Sequence, residues 1–250
     1  MESISIEILV LLVCVAGVAG FVDAIAGGGG LIALPALLWA GVPPLQALAT
    51  NKLQGSFGTA TATYNFTSKG YLDWRSLWPA VSMTLAGAVA GTLSVQFLPG
   101  SLLERIIPLL LALFAMYFLF SPRIGDADAR QRVSIALFAV SAGFGLGFYD
   151  GFFGPGTGSF YTAAFVILLG YSLTHAVAGT KLLNFTSNIS SLAVFALGGH
   201  VLWGLGLAMG LAQIAGAWLG SHLAIQHGSR VIRPLLVAVS LALSVKLMLD

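Results

Sequence analysis

Charge is what this sequence has least of. Asp, Glu, Lys and Arg make up 8% of its 250 residues, against about 25% in an ordinary soluble domain. So few solvated groups cannot cover a folded surface, which excludes a water-soluble enzyme. With 58% hydrophobic residues, a disordered chain is excluded as well. The single cysteine, Cys14, rules out a disulfide framework and, lying in an apolar run, says nothing of redox compartment. A net charge of +2 gives no reason to expect a nucleic-acid partner. The first ten residues hold Glu2 and Glu7 but no Lys or Arg, so the basic start of a secretory signal is lacking. The four histidines are scattered without metal-ligand spacing. No nucleophile and base stand at a recognisable spacing, and no glycine run ends in the Gly-Lys-Ser/Thr of a phosphate-binding loop. Neither a metal, a cofactor nor an enzymatic reaction is expected.

What is there is apolar sequence cut by short polar breaks. The reading is an all-α polytopic membrane protein embedded in the lipid bilayer, with helices near 8–26, 31–41, 44–66, 77–97, 102–120, 133–152, 158–170, 173–197, 203–223 and 231–249. Eight of these approach or exceed the roughly 20 residues that span a bilayer. The two short ones follow glycine-rich breaks, Gly27-Gly28-Gly29-Gly30 and Gly154-Pro155-Gly156-Thr157-Gly158.

The chain repeats itself. A shift of 127 pairs Gly20, Phe21, Asp23, Gly27 and Gly29 with Gly147, Phe148, Asp150, Gly154 and Gly156. A shift of 129 pairs Lys52, Phe66, Gly70 and Trp74 with Lys181, Phe195, Gly199 and Trp203, and Gly87 and Gly91 with Gly216 and Gly220. Chance in a Gly- and Ala-rich chain does not put rare Asp, Lys and Trp in register. Two membrane repeats, 1–121 and 133–250, are therefore expected on either side of a polar linker at 122–132, an organisation typical of secondary transporters. If each half crosses an odd number of times, Lys69, Arg75, Arg123, Arg130, Arg132, Arg230 and Arg233 fall on one side against Arg105 and Lys246. That split fits cytoplasmic accumulation of Lys and Arg better than an even count does. It favours inverted halves with both termini outside.

The breaks and the intramembrane charges carry the chemistry. A glycine run cannot face lipid, because its backbone groups would lack partners. It must be buried or line a wet cavity. Each run opens a short helix, and helix N-termini attract anions through free N–H groups and a partial positive charge. A close helix crossing would use the same glycines for clearance. Lys52 and Lys181 are matched ionisable residues at membrane depth, as are Asp23 and Asp150, and such residues pair with each other or line a pathway. The lysines are candidate anion ligands. The aspartates are candidate proton carriers, or else partners of the lysines and caps of the glycine turns. Thr50, Asn51, Gln54, Thr180 and Asn184 lie near the lysines in sequence and offer neutral hydrogen bonds to oxyanions. Gly27, Gly28, Gly29, Gly30, Gly154, Gly156 and Gly158 complete the candidate substrate site. His175, five residues before Thr180, is a weaker pathway candidate.

The signature Gly20-Phe-Val-Asp23-Ala-Ile-Ala-Gly27-Gly-Gly-Gly30-Leu, followed by Gly41-Val-Pro-Pro-Leu-Gln-Ala47-Leu-Ala-Thr50-Asn-Lys52, resembles the TauE/SafE family of membrane permeases. Its second copy, from Gly147 to Phe160 and from Lys181 to Asn188, resembles the YfcA-like subgroup. The resemblance implies a multi-pass carrier of the cell inner membrane for sulfite, organosulfonates or related small sulfur-containing anions. Alternating access is expected, with proton coupling an added expectation. An uncoupled anion channel or a membrane assembly factor is the alternative. The partners expected are a small anionic solute and lipid, with association as a homodimer left open.

Overall fold

The computed structural model describes residues 5–107, 109–110, 130–228 and 230–231, and among these there is no β-strand. The helix expected at 231–249, most of that at 102–120 and most of the linker at 122–132 lie outside the described residues. Eight helices organise the rest: α1 (Ile6–Ala26), α2 (Gly30–Trp39), α3 (Pro44–Ser68), α4 (Trp78–Gln96), α5 (Ile135–Phe152), α6 (Thr157–Leu169), α7 (Leu173–Leu197) and α8 (Trp203–His227). The chain is helical again over 100–107.

Their limits follow from local chemistry. Ser5 caps α1 by accepting the Ile8 N–H at 3.3 Å. Gly27, at φ 76, ends it in the left-handed region that a side chain would resist. Pro44 opens α3 at the position where a missing N–H costs nothing. Gly170, at φ 71, closes α6.

α5 departs from the uninterrupted helix expected at 133–152. Residues Ala139–Gly143 form a π-helical turn. At its end the Gly143 carbonyl accepts from Thr84 Oγ1 and from the Tyr161 hydroxyl, each at 3.2 Å. A widened turn frees a carbonyl in this way, and sequence periodicity does not show it.

Among the described residues, four helices are long and apolar enough to cross a membrane: α1, α4, α5 and α8. α3 and α7, 25 residues each, carry most of the buried polar side chains and pack among them. The surface is apolar where lipid would lie, with Val10, Val18, Leu85, Val140, Leu211 and Leu219 exposed. Trp74, Trp78 and Trp203, at the helix ends, are at least half exposed, as interfacial anchors require.

The two halves make the same contacts twice. A methyl group on Gly87 of α4 would strike the Phe144 carbonyl of α5, and one on Gly216 of α8 would strike the Gly17 carbonyl of α1. Gly91 meets Phe148 as Gly220 meets Phe21. Each pair relates by the separations of 129 and 127 seen in the sequence. Small residues here let backbones touch.

α3 and α7 pass each other in opposite directions. Thr50, near the start of α3, accepts from the Leu202 N–H just past the end of α7. At the other end Tyr71, just past α3, lies edge-on to His175 at the start of α7. α5 and α6 fold into a hairpin, held by Phe138 against Phe165 and by the Arg132 N–H on the Leu168 carbonyl. α1 and α2 turn back at Gly27–Gly29, where Gly29 rests on Ala19 and Asp23.

A polar cavity where the two breaks meet

The tips of the two hairpins touch. The Ser159 N–H donates to the Gly27 carbonyl at 3.1 Å, and the Ser159 hydroxyl donates to the Ala26 carbonyl at 3.0 Å. Neither Gly27 nor Gly158 has room for a side chain, since a Cβ on either would run into the backbone of the other. The glycines therefore serve close approach, and in serving it they bring both helix openings to one place.

Beside this contact lies a cavity of about 40 Å³, lined in part by Asp23, Lys52, Asp150, Asn184, Asn188 and Gln213. A space of that size holds little more than water-sized groups. Its wall also includes Gly27, Gly29, Gly30, Asn51, Gly154, Gly156 and Gly158, all expected from the sequence. Thus the starts of α2 and α6 open onto one polar space, although most of their first amides are already held, Leu31 and Ile32 by the Gly28 and Gly29 carbonyls and Thr157 and Ser159 by those of Gly154 and Gly27. Asp23 already holds one of the nearby amides, accepting the Gly29 N–H on Oδ1 at 3.1 Å.

The buried charges are crossed between halves. Lys52 donates to Asp150 Oδ1 at 2.7 Å, with side chains 3% and 6% exposed. Lys181 bonds Asp23 Oδ2 at 3.1 Å and also the Asp23 main-chain carbonyl. Each lysine thus meets the aspartate from the other half of the chain. An isolated ion in this setting would be strongly unfavourable, and pairing with hydrogen bonds offsets the desolvation. Two cations against two carboxylates leave the centre balanced.

Not every expected residue reaches the cavity. Gly28 is buried in the first turn, its carbonyl accepting the Leu31 N–H. Thr50 ties α3 to the loop before α8. Thr180 bonds Thr162 at 3.1 Å, wholly buried. Gln54 accepts from Gln213 at 3.4 Å and donates to Asn51 at 2.9 Å, one residue removed from the space. Lys181, with no exposure, lies behind Asp23. His175 is exposed at the surface, bonded to Ser172 at 2.8 Å, in a separate groove of about 390 Å³ with Asp73 and Tyr171. There burial and the Asp73 charge raise the Tyr171 phenol above its usual value.

Five lining residues were not anticipated: Gly55, Thr59, Thr157, Asn188 and Gln213. Repeat arithmetic could have found two of them, because a shift of 129 pairs Gly55 with the expected Asn184 and a shift of 127 pairs Thr157 with the expected Gly30, whereas Thr59 and Asn188 pair only with each other. Gln213 stands alone among apolar neighbours on α8, which is itself a signal at membrane depth.

The sulfite exporter TauE/SafE family model matches residues 12–247. The chain is 46% identical over 250 residues to "Probable membrane transporter protein ORF9" of a Sinorhizobium species, covering all of this chain and 96% of that protein. It is 45% identical over 243 residues to "Probable membrane transporter protein YfcA" of Escherichia coli K12, covering 97% and 90%. A more distant likeness, 24% over 239 residues and 86% of each chain, is to "Probable membrane transporter protein YunE" of Bacillus subtilis. No solved structure matches. With a family match spanning nearly its whole length and a multi-pass helical body around a buried polar centre, this chain belongs to the TauE/SafE family of membrane transporters.

Proposed function

We propose that the protein is a secondary carrier of the bacterial inner membrane that moves small anions, namely sulfite, organosulfonates or related sulfur-containing anions, by alternating access. The observation that carries this reading is the meeting of two glycine breaks at one polar cavity containing Lys52. The starts of α2 and α6 supply partial positive charge there, and lysine supplies a full charge. The antiparallel course of α3 and α7, equivalent helices of the two repeats, supports inverted halves. Lys69, Arg75, Arg132 and Arg230, at the end of the bundle where α3 and α6 finish, support that end as cytoplasmic. Such halves can rock about their shared tips and expose the cavity to each side in turn. Asp23 and Asp150 are the two candidate carboxyls for coupling the cycle to protons.

The smallness of the cavity favours a carrier over a continuous anion pore. Flux of sulfite and of a short alkylsulfonate into proteoliposomes tests the reading. Saturable uptake, accelerated by anion on the far side, is expected. Flux that rises linearly with concentration and ignores the far side would mean a channel instead, and no flux of either anion would remove the substrate class.

A further inference from the structure

We infer that the two lysine–aspartate pairs have diverged in role: Lys52–Asp150 is the exchangeable pair that an anion opens, whereas Lys181–Asp23 is a fixed clasp on the first glycine turn. This inference rests on the anion-carrier reading above. The geometry differs on the two sides. Lys52 lines the cavity and, besides Asp150, reaches Asn188 Oδ1 at 3.2 Å. Both side-chain donors to Asp150, Lys52 Nζ and Thr157 Oγ1, converge on its Oδ1. Lys181 is sealed off and holds both the main-chain carbonyl and Oδ2 of Asp23, whose Oδ1 holds Gly29. Asp23 thereby fixes the turn at two amides, the Gly27 N–H on its main-chain carbonyl and the Gly29 N–H on its carboxylate, while Lys181 holds Asp23 itself.

The cavity wall is unequal in the same sense. Asn184 and Asn188 face it from α7, whereas their counterparts on α3 are Gly55 and Thr59. Asn184 Oδ1 is buried with no hydrogen-bond partner among the described residues. Buried acceptors are normally satisfied, so this oxygen is left for an occupant that brings a donor, a water or the O–H of a protonated oxyanion.

An anion that takes the Lys52 ammonium would leave Asp150 a buried, unpaired carboxylate, which is strongly unfavourable. A proton arriving from water on the Asp150 carboxyl removes that penalty. Anion and proton then enter together, with no net change of charge. The other ionisable groups near Asp150 are Tyr149 on α5 and Tyr161 on α6. The α4 face carries none, and the α7 ammonium, Lys181, is held by Asp23.

Two measurements test this. In a Cys14→Ser background, Lys52→Cys and Lys181→Cys are treated with 2-sulfonatoethyl methanethiosulfonate, a small anionic thiol reagent. Lys52→Cys should react about tenfold or more faster, since access governs thiol reactivity. Asn188→Cys against Thr180→Cys gives the same comparison with both ion pairs intact. Equal rates in both comparisons would overturn the divergence. In proteoliposomes, Asp150→Asn should abolish the pH dependence of sulfite uptake, while Asp23→Asn should keep it and lower the melting temperature. Loss of pH dependence in both variants alike, or in Asp23→Asn alone, would overturn the assignment. If the parent protein moves neither sulfite nor sulfonate, the carrier reading fails, while the labelling rates still decide whether the pairs differ.

Discussion

The amide of Ser159 and the carbonyl of Gly27 are joined at 3.1 Å, and the Ser159 hydroxyl donates to the same carbonyl at 3.3 Å, linking a residue beyond one helix break to one within the other. Around it the backbones are so close that Gly27 and Gly158 each exclude a methyl group from the other. Gly27 also sits at φ 76, where an L side chain is strained. Gly27→Ala therefore combines two penalties and should lower stability by roughly 2–4 kcal/mol. Gly41, at φ 80 with nothing near its Cβ position, isolates the backbone term, and Gly41→Ala should cost only about 1 kcal/mol. Melting of the two purified variants in detergent checks the difference. Equal losses would show that the hairpin tips are not in tight contact.

Much of this was legible beforehand because rare residues in an apolar chain are informative. Glycine runs marked both breaks, and two separations placed Asp23 opposite Asp150 and Lys52 opposite Lys181. What the spacing could not give was which lysine meets which aspartate. That depends on α3 and α7 lying against the hairpin from the other half of the chain, a matter of packing between segments far apart in sequence. The same limit explains Thr50 and Thr180. On a helix of known register they stand near the lysines in sequence, yet they point to other neighbours, a loop N–H in one case and Thr162 in the other. The π turn in α5 left no trace in composition at all, since Ala-Val-Ser-Ala-Gly reads as ordinary helix.

The repeated glycine contacts predict matched consequences. Gly87→Ala would press α4 off the Phe144 carbonyl, and Gly216→Ala would press α8 off that of Gly17. Both should destabilise by about 1–3 kcal/mol, the usual range for overpacking. Gly145, exposed on α5 with nothing near its Cβ position, gives the contrast: Gly145→Ala should be neutral or stabilising by up to about 1 kcal/mol through helix propensity. A large loss at Gly87 with none at Gly216 would mean that the two helix pairs are not equivalent in energy.

The carbonyl freed by the π turn makes a different kind of prediction. Gly143 O accepts from both Thr84 and Tyr161, so either donor alone keeps it satisfied. Thr84→Val or Tyr161→Phe should each cost about 1 kcal/mol, and the double variant more than the sum, because a buried acceptor left bare costs about 1–3 kcal/mol in desolvation. A double-mutant cycle on melting free energies reads the excess directly. Strict additivity would show that water or another donor replaces the lost hydroxyls.

Stability and transport can be separated at the pair itself. Lys52 and Asp150 are each almost wholly buried and 2.7 Å apart. Lys52→Met strands the carboxylate and should cost roughly 3–5 kcal/mol, whereas Lys52→Met with Asp150→Leu removes both charges and should recover most of that loss. If the pair were there only to hold helices together, the recovered double variant would transport. If Lys52 binds the anion, it will fold and stay silent in sulfite flux, because an apolar pair offers an anion nothing. Lys69→Ala, which removes an exposed charge at the end of α3, should leave both melting and flux near the parent values. Normal flux in the folded double variant would take the lysine out of the substrate site and leave the amides of the broken helices as the remaining source of attraction for a negative solute.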